Sequence, residues 1–347
     1  MFTTTLKYSW AILLWLSIGF SSCGDGKPIT PAQPTEEAPA PLATNAALEE
    51  ATARVAQEPE NAQLYIDRAL IHYKLQNFDA AITDLDNAIS LSDTIAKAYL
   101  LLGDVYFAKR DITRAIKSLE AGAEALPQSK EIALVLSRYY FYNSEHDKSI
   151  KFADAALRID PGYAQAYFQK ASIFLEMKDT AKAISNLQTA VEQDPEFDEA
   201  YTELGLLLSK KKDKLAVQYL QNAVSLDPRD NDARYALALA LQDHKRYTEA
   251  LEQYREIIKQ SPQYENAHYG MGWVYFQMDS INQADAAFKL ATSIKPDFTD
   301  AYYMRGLVAE SVGDYKSAEY YYDQTLRIDA QHMNAIAGFN RLKQLRK

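Results

Sequence analysis

The chain has 347 residues, 48% of them hydrophobic and 24% charged, the proportions of a folded globular protein and not of a disordered one. Its 37 Lys and Arg against 47 Asp and Glu leave a net charge of -10, which repels phosphate backbones and supplies no basic stripe, so nucleic acid is excluded as the expected partner. The 24 tyrosines serve equally well between helices and on a binding surface, and their number alone decides nothing.

The first element is an address. Lys7 precedes an apolar run from Tyr8 to Phe20 that includes Trp10, Leu13, Leu14 and Trp15, the layout of a signal peptide over residues 1–22. The run is shorter than the roughly 20 apolar residues a membrane-spanning helix needs. Phe20-Ser21-Ser22-Cys23 follows, and Cys23 is the sole cysteine, so it has no intrachain disulfide partner. This segment resembles a bacterial lipobox, with Phe20 in place of the usual aliphatic residue. The resemblance implies that Cys23 is acylated and becomes the new N-terminus, and Gly24, where Asp would retain an inner-membrane lipoprotein, implies the outer membrane. An ordinary secretory peptide with an incidental cysteine is the plainer alternative.

Residues 23–45 carry prolines at 28, 31, 34, 39 and 41. Such a stretch buries too little apolar surface to offset its ordering entropy and is expected to be a semi-rigid tether. At about 3.1 Å per residue it reaches on the order of 60 Å.

Beyond the tether the sequence repeats. Pro59, Pro127, Pro161, Pro195, Pro228, Pro262 and Pro296, with Asp93 in the second place of the series, recur every 33 or 34 residues. A first series of small residues runs in phase with them as Ala69, Gly103, Ser137, Ala171, Gly205, Ala238, Gly272 and Gly306, and a second as Ala81, Ala115, Ser149, Ala183, Ala216, Ala250, Ala284 and Ala318. Small side chains at fixed helical offsets let two antiparallel helices approach, and large ones between them fill the grooves. The large ones are Tyr65, Tyr99, Tyr167, Tyr201 and Tyr302 early in a first helix, and Leu85, Leu119, Leu187, Leu220, Tyr254, Phe288 and Tyr322 in a second. Polar or glycine residues mark the turn between them, and Asp-Pro pairs end the second helix.

The period and these positions resemble the tetratricopeptide repeat. Eight units are expected, at 62–95, 96–129, 130–163, 164–197, 198–230, 231–264, 265–298 and 299–332, each a hairpin of helices A and B. A half-repeat helix over 46–61 and a capping helix over 333–347 complete the array. The fold class is therefore all-α, and the resemblance implies a right-handed superhelical solenoid whose A helices line a concave groove.

No catalytic residue, metal ligand set or cofactor is expected. The sole cysteine is spent on the anchor, the five histidines are scattered, and no glycine-rich phosphate loop, HExxH or GxSxG motif occurs. Position by position, the family's groove residues fall on Arg138, Phe141, Tyr142, Phe168, Tyr235, Tyr269, Trp273, Phe276, Tyr303 and Met304. The Lys, Arg and Asn set with which chaperone-binding members clamp a C-terminal carboxylate is missing. Aromatic anchors beside Gln and Glu suit an apolar or amphipathic segment. The expected function is a non-catalytic, lipid-tethered scaffold for proteins of an envelope assembly, facing the periplasm or cell surface. An accessory role in polysaccharide or other polymer export is the alternative.

Overall fold

The structure is a computed structural model that describes residues 41–345. The signal peptide, Cys23 and the tether up to residue 40 lie outside the described residues. Contacts divide the chain into two compact bodies, one ending at Ala200 and the other beginning at Tyr201.

Every regular element among the described residues is an α-helix. In the first body α1 (Pro41–Gln57) precedes four hairpins: α2 (Ala62–Lys74) with α3 (Phe78–Leu91), α4 (Ala96–Ala108) with α5 (Ile112–Ala125), α6 (Lys130–Tyr142) with α7 (His146–Ile159), and α8 (Ala164–Glu176) with α9 (Thr180–Gln193). The division falls within α10 (Asp198–Lys210). The second body continues with α11 (Leu215–Leu226) and the hairpins α12 (Asn231–Asp243) with α13 (Tyr247–Gln260), α14 (Glu265–Gln277) with α15 (Ile281–Ile294), and α16 (Thr299–Ser311) with α17 (Tyr315–Ile328), and it closes on α18 (Met333–Leu345). Helix α1 begins at Pro41, ahead of the residue 46 expected from the sequence. Proline is tolerated at a first helical position, where its missing N–H has no intrahelical partner in any case.

Local chemistry sets the helix ends. The side chains of Asn61, Asp111, Ser129, Asp179, Asp230 and Asp314 accept hydrogen bonds from backbone N–H groups of the first turn that follows each, which satisfies donors the helix itself leaves unpaired. Each A-to-B turn places one residue in the left-handed region: Gln76, Arg110, Ser144, Lys178, Lys212, Lys245, Asp279 and Gly313, with φ between 57° and 80°. The N–H of the next residue then donates back across the turn, as Asn77 does to the His72 carbonyl at 2.8 Å and Asp314 to that of Ala309 at 3.0 Å. This is the Schellman closure of a helix C-terminus. At the other end of several hairpins the residue before proline is extended, as at Asp160 (φ -135°, ψ 99°) and Asp227 (φ -121°, ψ 93°), where proline bars it from helical geometry.

Packing follows the alternation of small and large. Leu85, Leu119, Leu187, Leu220, Tyr254, Phe288 and Tyr322 are all fully buried. A Cβ added at Gly272 would sit 2.7 Å from the Phe288 ring, and one at Gly122 2.7 Å from the Tyr99 side chain, so glycine is required for the approach at both places. In the third hairpin the equivalent B-helix residue is Ala153, and Ser149 there donates to the Ser137 carbonyl at 2.6 Å, pairing two buried polar groups. Within each body, helix B of one hairpin packs on helix A of the next. The A helices also meet one another: α2 with α4, α4 with α6 and α6 with α8 in the first body, and α12 with α14, α14 with α16 and α16 with α18 in the second. The final helix is tied in through Arg341, whose Nε and guanidinium nitrogen donate to Glu310 at 2.6 and 2.7 Å. Those bonds hold the Glu310 carboxyl below its ordinary pKa.

Candidate partner-binding surface

Because A helices touch A helices, one side of each body is built from A-helix side chains that are neither in the A–B seam nor on the B exterior. Of the positions expected to line a groove, nine are partly exposed: Arg138, Phe141, Tyr142 and Phe168 in the first body, and Tyr235, Tyr269, Trp273, Phe276 and Tyr303 in the second. The tenth is corrected. Met304 is 2% exposed and packs with Ala284, Phe288 and Val308, so it belongs to the core and offers nothing to a partner. It stands one residue past Tyr303, a rotation of about 100° on a helix, which turns it from the open side into the seam.

In the first body the surface is a wall of rings around two charges. Phe107 stacks on Tyr139 with centroids 5.1 Å apart and meets Tyr142 at 5.4 Å. Phe141 touches Tyr142 and His146. Tyr139 donates to Asp104 Oδ1 at 2.6 Å, and burial pushes the Asp104 carboxyl above its ordinary pKa. Arg138 stands beside it on α6. Burial lowers its pKa, and the neighbouring Tyr142, Tyr139, Asp104 and Tyr163 act in the opposite sense.

In the second body the aromatic residues follow a rule that sequence reasoning missed. The fifth residue of an A helix meets, at a tilt, the aromatic residue that ends the same unit 29 positions later. Tyr235 meets Tyr264 at 5.8 Å, Tyr269 meets Phe298 at 5.1 Å and Tyr303 meets His332 at 5.0 Å. Phe168 and Phe197 do the same at 5.1 Å in the first body. The signal was present two residues after Pro195, Pro262 and Pro296, where an aromatic side chain recurs. Tyr264 also donates to Asp232 at 2.9 Å, and Trp273 meets Tyr247 edge-on at 6.4 Å. A ring held against a neighbouring ring has little rotamer freedom left to lose, the property that makes an aromatic residue an effective anchor.

The comparisons bear on the fold. Family models described as the tetratricopeptide repeat match residues 45–93, 100–164 and 214–265, residues 241–310, and residues 164–197 and 299–332, together most of the chain. Anaphase-promoting complex subunit 3 of Schizosaccharomyces pombe is 30% identical over 114 residues, 32% of this chain and 17% of that protein. The SGT1 homolog of Oryza sativa subsp. japonica is 37% identical over 71 residues, 20% of this chain and 19% of that protein. The chain thus spans less than a fifth of either relative. Among solved structures, YrrB, described as a TPR protein with an unusual peptide-binding site, superposes with a TM-score of 0.50 at 24% identity over 54% of this chain and 96% of that one. The C-terminal part of a TPR repeat-containing protein from Cytophaga hutchinsonii superposes with a TM-score of 0.57 at 17% identity over 68% of this chain and 97% of that one. With hairpins in phase with a 34-residue period, small residues facing large ones, and repeat models matched along most of its length, the chain belongs to the tetratricopeptide repeat family.

Proposed function

We propose that this chain is a non-catalytic scaffold, tethered to the bacterial outer membrane through an acylated Cys23, that gathers proteins of an envelope assembly by binding segments along the A-helix side of its hairpins. The observation that carries the binding reading is the recurrence of paired, partly exposed rings on successive A helices, Tyr235, Tyr269 and Tyr303, with Trp273 among them. Such rings suit an apolar or amphipathic segment. Nothing in their arrangement pairs a nucleophile with a base, and the family gives binding as the general role. The address rests on the signal-peptide layout and the placement of the sole cysteine.

Two substitutions test the two halves of the proposal. A photo-crosslinker at exposed Gln277 in living cells is expected to capture a partner, and Trp273→Ala to weaken capture by roughly 10-fold or more, the loss of an anchor of about 2 kcal/mol. Undiminished capture in Trp273→Ala refutes the aromatic surface. Cys23→Ala is expected to move the protein from the membrane fraction to the soluble one, and continued sedimentation with membranes refutes the lipid anchor.

A further inference from the structure

The A-helix side of the first body contains two buried donors that lack an acceptor. One is Nε of Arg138 on α6, and the other is Nε2 of Gln169 on α8. Gln169 is 3% exposed, and α6 and α8 are in contact. Arg138 also senses Tyr163, the residue that caps the N-terminus of α8. A buried N–H with no acceptor is rare in folded proteins because the group has given up water and received nothing in return. Two on touching helices, Arg138 at the register of Trp273 on the open side and Gln169 at the register where the A helix turns toward the seam, mark a place completed by something from outside the chain.

The chemistry of that missing group follows from its surroundings. The Nε of Arg138 is removed from water, yet no carboxylate forms an ion pair with its guanidinium among the described residues. Asp104, whose charge it senses, is engaged by the Tyr139 hydroxyl at 2.6 Å. A neutral carbonyl would satisfy the hydrogen bonds and leave the charge uncompensated; a carboxylate satisfies both, and bonds between charged partners are about twice as strong as neutral ones. Tyr142 stands one turn along α6 from Arg138 and meets Phe107 and Phe141, rings that suit apolar residues beside the anion. A helices lie on both sides of it, α2 and α4 before and α8 after, so a segment can run through it in both directions.

We propose that Arg138 and Gln169 form a subsite for the side-chain carboxylate of an internal aspartate or glutamate in the bound segment, with Arg138 giving a charged N–H and Gln169 an amide N–H. The assignment rests on the reading of the A-helix side as a partner surface and adds the chemistry of what that surface recognises in the first body.

Three tripeptides separate the possibilities when titrated into the purified full-length protein, with binding followed by calorimetry and by the Arg138 Nε–H resonance. Acetyl-Leu-Glu-Leu-amide carries a side-chain carboxylate, acetyl-Leu-Gln-Leu-amide carries none, and acetyl-Leu-Gln-Leu with a free C-terminus carries a terminal one. The Glu peptide is expected to bind about 10-fold or more tightly than the neutral one and to shift the Arg138 resonance. Arg138→Gln is expected to erase that preference, bringing the Glu peptide's affinity down to that of the neutral one. Gln169→Leu, close in size and without the unpaired donor, should reduce the preference several-fold, and both variants should keep their helical circular dichroism, which guards against a folding defect. Equal binding of the Glu and Gln peptides overturns the proposal, as does a preference that survives Arg138→Gln. Tightest binding of the free C-terminus overturns it in favour of a terminal anchor. If Trp273-dependent crosslinking persists while the carboxylate preference is absent, the subsite alone falls; if crosslinking also fails to depend on Trp273, the partner surface falls with it.

Discussion

Tyr322→Ala is expected to remove about 3–5 kcal/mol from the last hairpin and to loosen it without unfolding the first body. Tyr322 is fully buried between two glycines. A Cβ on Gly306 would lie 2.5 Å from its ring and one on Gly338 2.7 Å, so the ring fills the space between α16 and α18 that those glycines leave. Its hydroxyl donates to Glu310 Oε2 at 2.5 Å, and Glu310 in turn holds Arg341 of the closing helix. The substitution therefore opens a cavity and removes one support of the ion pair that fastens α18. Stability in a stack of hairpins is close to a sum of each repeat and its neighbour interfaces, so the damage stays near its source. Hydrogen exchange measured by mass spectrometry should show lost protection over α16, α17 and α18 and unchanged protection from α2 to α9. Loss of protection throughout, or none at all, contradicts the expectation.

Arg68→Leu should destabilise the first hairpin by a comparable amount, for an electrostatic reason. Arg68 Nε donates to Asp84 Oδ2 at 2.8 Å and a second guanidinium nitrogen to Oδ1 at 2.5 Å, with the Asp84 side chain only 4% exposed. Removing one partner of a buried pair strands the other, which costs about 3–5 kcal/mol, whereas replacing both with apolar residues is often near neutral. The double variant Arg68→Leu/Asp84→Leu should therefore recover most of the loss in urea denaturation. His72 adds a pH signature. Its Nε2 lies 3.9 Å from Asp84 Oδ2. Burial lowers its pKa, Asp84 raises it and Arg68 lowers it. Without Arg68 the downward push on the imidazole eases, and its folded pKa rises toward the unfolded value. A histidine held below the unfolded value of about 6.5 gives stability that is full above that value and is lost as the pH falls through it, and the variant loses less of it than the wild type. The single variant should thus be less impaired at pH 5.5 than at pH 7.5, and an equal deficit at both contradicts this account.

The parts of the fold that were legible in the sequence are those decided by side-chain size at fixed spacing. Leu119, Phe288 and Tyr322 identify themselves because each stands opposite a residue too small to fill the seam alone, as Gly103, Gly272 and Gly306 are. The A-to-B turns were legible as turns but not as geometry. Gln76, Lys178 and Asp279 adopt a left-handed backbone that composition assigns to glycine, and only Gly313 announced it. The candidate surface was legible to within a helical rotation. Tyr303 and Met304 are adjacent and both suit an interface, and only the packing of α15 against α16 sends one outward and the other inward. Pairs such as Tyr139 with Asp104 depend on register between helices 35 residues apart in sequence, which no local pattern encodes. The start of α1 was hidden for the opposite reason, because Pro41 reads as the end of an extended stretch and serves equally well as the first residue of a helix.

Those left-handed turns carry a consequence of another kind. In seven hairpins the residue that reverses the chain is not glycine, and all seven side chains are exposed. The backbone state at that point is imposed by the Schellman closure around it, so among unbranched side chains that tolerate φ near +60° the choice is left open. Seven hairpins thus carry one letter that can be rewritten within those bounds without disturbing the structure beneath. Here the letters are Gln, Arg, Ser, Lys, Lys, Lys and Asp, four of them basic in a chain whose net charge is -10. The electrostatic character of the turns is in this way separable from that of the rest of the protein, and can drift or be selected independently of the core and of the A-helix side.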